Sequence, residues 1–356
     1  MTRSNKLQSL LLAELRHLAT FHPSDRVWQM PFAAALASGL PLLIGAWFDR
    51  MAYGLASSLG GLVFLYLPAT PLHHRMIAVM AASFSLVGCY TLGVMSHFFP
   101  WSMMPVLVFT AIMATMACRF YGVAPPGSLF FIMAAAIGAY SPVEVMQLPT
   151  FVGLVALGCL LACLVAFFYS VFMLRRQPSK PVAPLPRPDF DFLVVDSVVI
   201  GLFVGISLAL AQALQLEKAY WVPVSCLAVI QGQSLRAVWT RQLHRVTGTA
   251  IGLLLAWAIL LLPLDKWTVS LTMMALAFII EMAVVRNYGV AAIFITPLTI
   301  LLVEAATLGQ GKAHALIQAR FFDTVLGCSV GFAGAVCLHS PSFRDAASRF
   351  LRRFAP

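Results

Sequence analysis

The sequence predicts an all-α membrane protein of about 12 transmembrane helices, arranged as two parallel six-helix repeats with both termini cytoplasmic. Three observations predict it. The composition is too apolar for a soluble domain, apolar stretches of spanning length recur with basic residues gathered on one side, and short motifs repeat at a near-constant displacement.

Of 356 residues, 61% are hydrophobic and 10% are charged, against about 25% charged in ordinary soluble domains. Mean hydropathy is +0.89. A soluble fold of this length could not hide that much apolar surface, whereas lipid can. The seven cysteines, 89, 118, 159, 163, 226, 328 and 337, all fall in or beside apolar stretches. Their spacing is neither a disulfide framework nor a zinc site, so they read as small packing hydrophobes.

A helix needs about 20 apolar residues to cross the hydrocarbon layer. Residues 1–27 read as a cytoplasmic segment without signal-peptide character, amphipathic from Ser4 to Phe21, with Leu7, Leu10, Leu11, Leu15 and Leu18 opposite Lys6, Glu14 and Arg16. Charges, prolines and polar clusters then divide 28–174 into six segments: 28–48, 52–69, 76–95, 101–118, 127–143 and 149–174. A polar, proline-rich cytoplasmic linker occupies 175–192. Six more segments divide 193–340: 193–214, 220–235, 245–263, 267–285, 288–308 and 320–340, and a basic cytoplasmic tail covers 341–356. With the amino terminus inside, this count puts 18 Lys and Arg on the cytoplasmic side. Only Arg50, Lys218, Lys266, Lys312 and Arg320 fall opposite, as the positive-inside rule requires. The net charge of +10 therefore suits anionic lipid headgroups. No aromatic-interleaved basic platform points to nucleic acid.

Arg119-Phe-Tyr-Gly-Val-Ala124 recurs as Arg286-Asn-Tyr-Gly-Val-Ala291, and Ala52-Tyr53 as Ala219-Tyr220, both displaced by 167 residues. His74-Arg75 matches His244-Arg245, and Leu157-Gly158-Cys159 matches Leu326-Gly327-Cys328. An even number of spans per half makes the expected repeat parallel, a transporter-like plan. Pairs of glycines four apart, Gly201/Gly205, Gly248/Gly252 and Gly327/Gly331, supply small faces for close helix contact.

Ionisable groups inside spans are costly in lipid, so they face a bundle interior, a pathway or a partner charge. Glu304, Glu281 and Asp323 are the proton-coupling candidates, because desolvation moves a carboxyl toward a range where it exchanges protons. Arg320 shares a helix face with Asp323, so a structural pair between them is the competing reading. Arg241, Arg245, Arg286, Asn287 and Tyr288 form a cytoplasmic cluster suited to an organic anion, since arginine grips a carboxylate through two parallel hydrogen bonds. Their competing reading is topology anchoring. Tyr220 and Trp221 open a span at the outer interface, where aromatic belts are usual. Pro223 and Pro297 are the helix breaks. No ATP-binding loop, metal-ligand cluster or nucleophile motif occurs, so neither enzyme activity nor a cofactor is expected, and uphill transport would draw on an ion gradient or a partner.

The run Tyr220-Trp-Val-Pro-Val224, then Gln231-Gly-Gln-Ser234, then Arg245-Val-Thr-Gly-Thr-Ala-Ile-Gly252 resembles the fusaric acid resistance protein family. Asn287-Tyr288 and Arg320-Phe-Phe-Asp-Thr-Val-Leu-Gly327 are similar to its later elements. The first half keeps Tyr53, Arg75 and Arg119-Tyr121-Gly122 but lacks the tryptophan and the Gly-Thr pattern. The resemblance implies a multi-pass protein of the bacterial inner membrane and, by analogy with relatives, proton-driven efflux of small aromatic carboxylic acids. It also implies a periplasmic adaptor as partner, and a homo-oligomer is a further expectation. The chain is a short form, without the large cytoplasmic domain of longer members. The alternative function is a non-transporting assembly or envelope-integrity protein of the inner membrane.

Overall fold

The computed structural model describes residues 20–24, 26–305 and 313–351, with backbone alone at 304 and 313–316. The described residues are all-α. In chain order the helices are α1 (Gln29–Trp47), α2 (Met51–Gly61), α3 (Leu72–His97), α4 (Met103–Phe120), α5 (Leu129–Ala139), α6 (Leu148–Leu174), α7 (Asp196–Ala213), α8 (Trp221–Ile230), α9 (Leu235–Leu260), α10 (Lys266–Ala283), α11 (Tyr288–Glu304), α12 (Ala313–His339) and α13 (Pro341–Leu351). Most of the amphipathic segment expected at Ser4 to Phe21 lies outside the described residues.

The expectation of twelve spans in two six-helix repeats is corrected. Among the described residues eight helices are long and apolar enough to cross a membrane: Gln29–Trp47, Leu72–His97, Pro100–Phe120, Val145–Leu174, Asp191–Ala213, Leu235–Leu260, Lys266–Ala283 and Ile317–His339. The other four apolar helices, Met51–Tyr66, Leu129–Ala139, Trp221–Ile230 and Tyr288–Val303, have 10–17 residues. At 1.5 Å per residue, a ten-residue helix covers about 15 Å, half of a hydrocarbon layer about 30 Å thick. Helices this short persist at membrane depth because protein surrounds them and satisfies their ends. In α8 every residue except Ala228 is buried, and α5 is buried along most of its length. The long helices instead leave apolar side chains outward, among them Met80, Phe84, Leu157 and Phe168.

Two span ends were misplaced as well, for a separate physical reason. Charges served as span ends, but Arg75 and Arg245 lie inside 26-residue helices and are buried. The third and ninth segments therefore begin earlier than expected, at Leu72 and Leu235. Two arginines counted as surface anchors are interior groups.

Antiparallel pairings fix the two ends of the bundle. Arg26, before α1, pairs with Glu281 near the end of α10 at 2.8 Å, and Asp49, after α1, pairs with Lys266 at the start of α10 at 2.9 Å. Arg119 at the end of α4 pairs with Asp196 at the start of α7 at 2.8 Å. The linker runs along this latter end, where the Lys180 N–H donates to the Ala69 carbonyl. The residues before and after the linker thus meet along two seams, α1 against α10 and α4–α5 against α7–α8. The second seam carries a continuous apolar core, from Leu107 and Ile132 to Ile200, Trp221 and Leu227. Helix α13 docks at the linker end: Ser348 Oγ donates to Asp191, and Arg344 lies 3.6 Å from Asp196.

Candidate functional site

Four helices after the linker, α8, α9, α11 and α12, build one interior cluster. Glycine sets their spacing. A Cβ on Gly331 of α12 would sit 2.5 Å from the Cys226 carbonyl oxygen of α8, and one on Gly327 would collide with the Val222 carbonyl. Backbone contact this close brings the first turns of α12 against Trp221. Similarly, Gly252 of α9 faces the Ile293 carbonyl of α11, where a Cβ would come within 2.5 Å. Pro297, inside α11, lacks the N–H that would otherwise bond that carbonyl four residues back. Pro223 interrupts nothing. It occupies the first turn of α8, where N–H groups have no intrahelical acceptor in any helix.

Arg245 is buried on α9. Its Nη1 donates to Tyr288 Oη at 2.8 Å, its Nη2 donates to Ser225 Oγ at 3.3 Å, and its Nε has no acceptor. Arg320 is buried on α12, with its guanidinium carbon 4.3 Å from the centre of the Trp221 ring. Its Nε and Nη1 have no acceptor. Trp221 and Ser225 are four apart on α8 and share a face, so the two guanidiniums meet neighbouring positions of that face. Each acts electrostatically on the other. Asp323 is fully buried one turn along α12 from Arg320, and neither of its carboxylate oxygens receives a hydrogen bond. Arg320, Asp323, Trp221, Lys218, Thr299 and Val303 are among the residues lining a cavity of about 10 Å3 between them, room for about one water.

Buried polar atoms are nearly always hydrogen-bonded, so unpaired ones call for an explanation. A cation over a tryptophan face gains about 2 kcal/mol when desolvated, which steadies Arg320 but fills none of its donor positions. An unpaired charged donor costs more than a neutral one. The arrangement presents open guanidinium donors beside an aromatic face in a space the size of one water.

Of the residues singled out from sequence, the fold brings together Tyr220, Trp221, Arg245, Tyr288, Arg320 and Asp323. Tyr220 and Trp221 are interior, 9% and 5% exposed, rather than part of a lipid-facing belt. Arg241 is half-buried one turn before Arg245 on α9. Glu281 lies apart, bonded to Arg26. Arg286 is exposed, and its carbonyl accepts from the His22 N–H. Asn287 caps α11 by accepting from the Val290 N–H and donates to the Thr20 carbonyl. Glu304 ends α11, and its side chain lies outside the described residues. Sequence reasoning missed Ser225, whose only signal was its position four residues after Trp221. Among the described residues no three His, Cys, Asp or Glu side chains gather as a metal site.

Residues 204–334 match the family described as "Fusaric acid resistance protein-like". The chain is similar to the "Uncharacterized membrane protein YvaC" of Bacillus subtilis (strain 168), 21% identical over an alignment of 464 residues covering 89% of this chain and 73% of that protein. It is also similar to the "Uncharacterized protein YhfK" of Escherichia coli (strain K12), 28% identical over 140 residues, 39% of this chain and 19% of that protein. No solved structure matches. The matched residues, less than half of the chain, contain the whole interior cluster, and the eight helices of spanning length among the described residues make the chain a multi-span membrane protein.

Proposed function

We propose that this chain is a secondary, proton-coupled exporter of small aromatic carboxylic acids from the bacterial cytoplasm, and that the Arg245–Arg320–Asp323 cluster is its anion site. One observation carries the reading: two buried guanidiniums keep unpaired N–H groups beside an aromatic face and an unpaired carboxyl group. A substrate carboxylate placed on the open edge of Arg320 supplies the missing acceptors, and Trp221 offers its ring a wall. Asp323 supplies the exchangeable proton. The two guanidiniums balance the substrate carboxylate and an ionised Asp323 on the way out. Once the substrate has left, Asp323 takes a proton from outside and carries it inward, so that proton and substrate move in opposite directions.

The test is flux in proteoliposomes of the purified chain. A pH gradient should drive transport of labelled benzoate, and Arg320→Gln should abolish it with protein insertion unchanged. Flux no greater than in protein-free vesicles, with the protein confirmed in the bilayer, would refute transport by this chain alone. A requirement for a stoichiometric partner would return the alternative of an assembly protein.

A further inference from the structure

The spanning part of α12, Ile317–His339, has 23 residues, about 34 Å at 1.5 Å per residue, against a hydrocarbon layer about 30 Å thick. Pro341 then opens α13; its fixed φ suits a first helical turn, and its missing N–H cannot continue the ladder of α12. Helix α13 therefore lies at headgroup depth, at the linker end of the bundle. Its polar and apolar residues segregate by face, as in helices that lie in the headgroup plane. One side is a seat on the protein. Ala347 and Leu351 pack on the α7–α8 core, Ser348 Oγ donates to Asp191 at 2.8 Å, and Arg344 reaches the Asp196 carboxylate that Arg119 also holds. Phe343 and Phe350, seven residues apart, share a stripe along the edge of that seat and are 40% and 58% exposed.

Positive charge gathers at the same end. Arg349 of α13 and Arg175, Arg176, Lys180 and Arg187 beside it in the chain order of the linker are exposed, against the exposed acidic Asp189 and Asp345. Asp345, two residues after Phe343, falls on the opposite side of the helix. The sequence continues past α13 with Arg352-Arg353. We propose that α13 is a membrane-surface helix whose partner is anionic phospholipid of the inner leaflet. Phe343 and Phe350 enter the boundary between headgroups and acyl chains, and Arg349 with the linker cations meets the phosphates. Buried apolar area and charge attraction add in such binding. Through Arg344 and Ser348 the lipid-bound helix holds the entry to α7. The Arg245–Arg320–Asp323 cluster takes no part in this contact, so lipid binding and the anion site can fail separately.

The experiment titrates the detergent-purified full-length chain with phosphatidylglycerol or phosphatidylcholine of matched acyl chains. The melting temperature is followed, and an apparent lipid affinity is read from its rise. Phosphatidylglycerol should raise it well beyond phosphatidylcholine, with the difference shrinking at high salt. Arg349→Gln should weaken the phosphatidylglycerol affinity about fivefold, as loss of one arginine near an anionic surface implies. Phe343→Ser with Phe350→Ser should weaken it about tenfold or more. Arg50→Gln, at the opposite end of the bundle, should leave it unchanged. If the double variant is already less stable without lipid, Arg349→Gln decides alone. Equal effects of the two lipids on the wild type, or wild-type affinity in Arg349→Gln or in a stable double variant, overturn the proposal. An oligomer that the double variant dissociates, with no preference between the lipids, assigns the surface to a second copy of this chain and overturns it as well.

Discussion

Replacing Asp323 with asparagine should make the protein more stable and stop its gradient-driven transport. The side chain is fully buried, and neither carboxylate oxygen accepts a hydrogen bond. The guanidinium of Arg320 lies over Trp221; its charge acts on Asp323, but it makes no hydrogen bond to either carboxylate oxygen. Leaving a buried polar group unsatisfied costs about 1–3 kcal/mol, more when it is charged. Asparagine keeps the shape and exchanges a charged unsatisfied group for a neutral one, so the gain is the difference between the two penalties, on the order of 1–3 kcal/mol. At about 2 °C per kcal/mol for a chain of this size, the melting temperature rises by about 2–6 °C. The assay is thermal unfolding of the detergent-solubilised variant, run beside labelled benzoate flux in vesicles. Pairing of Asp323 with Arg320 would predict the opposite sign, because breaking a buried pair costs about 3–5 kcal/mol. A lowered melting temperature, or unchanged gradient-driven flux, refutes the reasoning. Exchange of labelled for unlabelled benzoate without a gradient should survive, since that cycle needs no net proton movement.

Glu281→Gln should cost stability but spare transport, because Arg26 donates to that carboxylate at 2.8 Å and the pair ties the segment before α1 to α10; yield and flux measured on one preparation check both halves of the statement. Tyr288→Phe removes the 2.8 Å bond from Arg245 and orphans a second nitrogen, so benzoate affinity should change several-fold with little change in yield, read by titration. Gly331→Ala forces α12 off the Cys226 carbonyl; overpacking of this kind costs about 1–3 kcal/mol, and lower thermal stability with weaker benzoate binding is the expected pair of results. Asp49 is held below the ordinary carboxylate range by the hydrogen bond and charge of Lys266. Its contribution to stability is complete above the unfolded-chain value and is lost as pH falls through the lowered one, so Asp49→Asn should flatten the acid side of the stability profile.

The membrane character, the all-α class and most helix positions were legible in the sequence because they depend on local hydrophobicity. The number of spans was not. Segment length in the sequence cannot say whether ten apolar residues such as Trp221–Ile230 meet lipid or the inside of a bundle, and α8 shows the second case. Glycine pairs were legible as contact faces, and Gly248/Gly252 and Gly327/Gly331 do make such contacts. Their partners were not, since those depend on which helices meet. Asn287 stood out within the repeated Arg286-Asn-Tyr-Gly-Val-Ala291 motif, yet it caps α11, a role its N-cap position before Tyr288 could have suggested. Ser225 carried no signal beyond its spacing from Trp221, because a serine is not unusual in an apolar helix.

The misplaced span ends and the interior cluster have one cause. A charge in an apolar stretch was read as the end of a helix, which holds for arginines that reach the headgroups but fails for Arg245 and Arg320. Both lie within long helices beside a short one, and α8 gives them Ser225 and the Trp221 face in place of lipid. Arg75 meets the first condition too, being buried in α3, yet its Nε donates to the Thr70 carbonyl at 2.6 Å. Nearby, Tyr66 gives its hydroxyl to the Gly127 carbonyl and stacks on Phe131 at 4.7 Å. Those groups before the linker are satisfied within the chain, whereas Arg245, Arg320 and Asp323 keep open positions. A structural arginine tends to be paired, because an unpaired one costs stability that selection for folding alone would not retain. This difference supports the proposed anion site among α8, α9, α11 and α12. Under that reading Arg75→Gln lowers stability without changing benzoate affinity, while Arg245→Gln weakens binding at least tenfold. Equal effects of the two substitutions on affinity, titrated on purified protein, would remove the distinction on which the assignment depends.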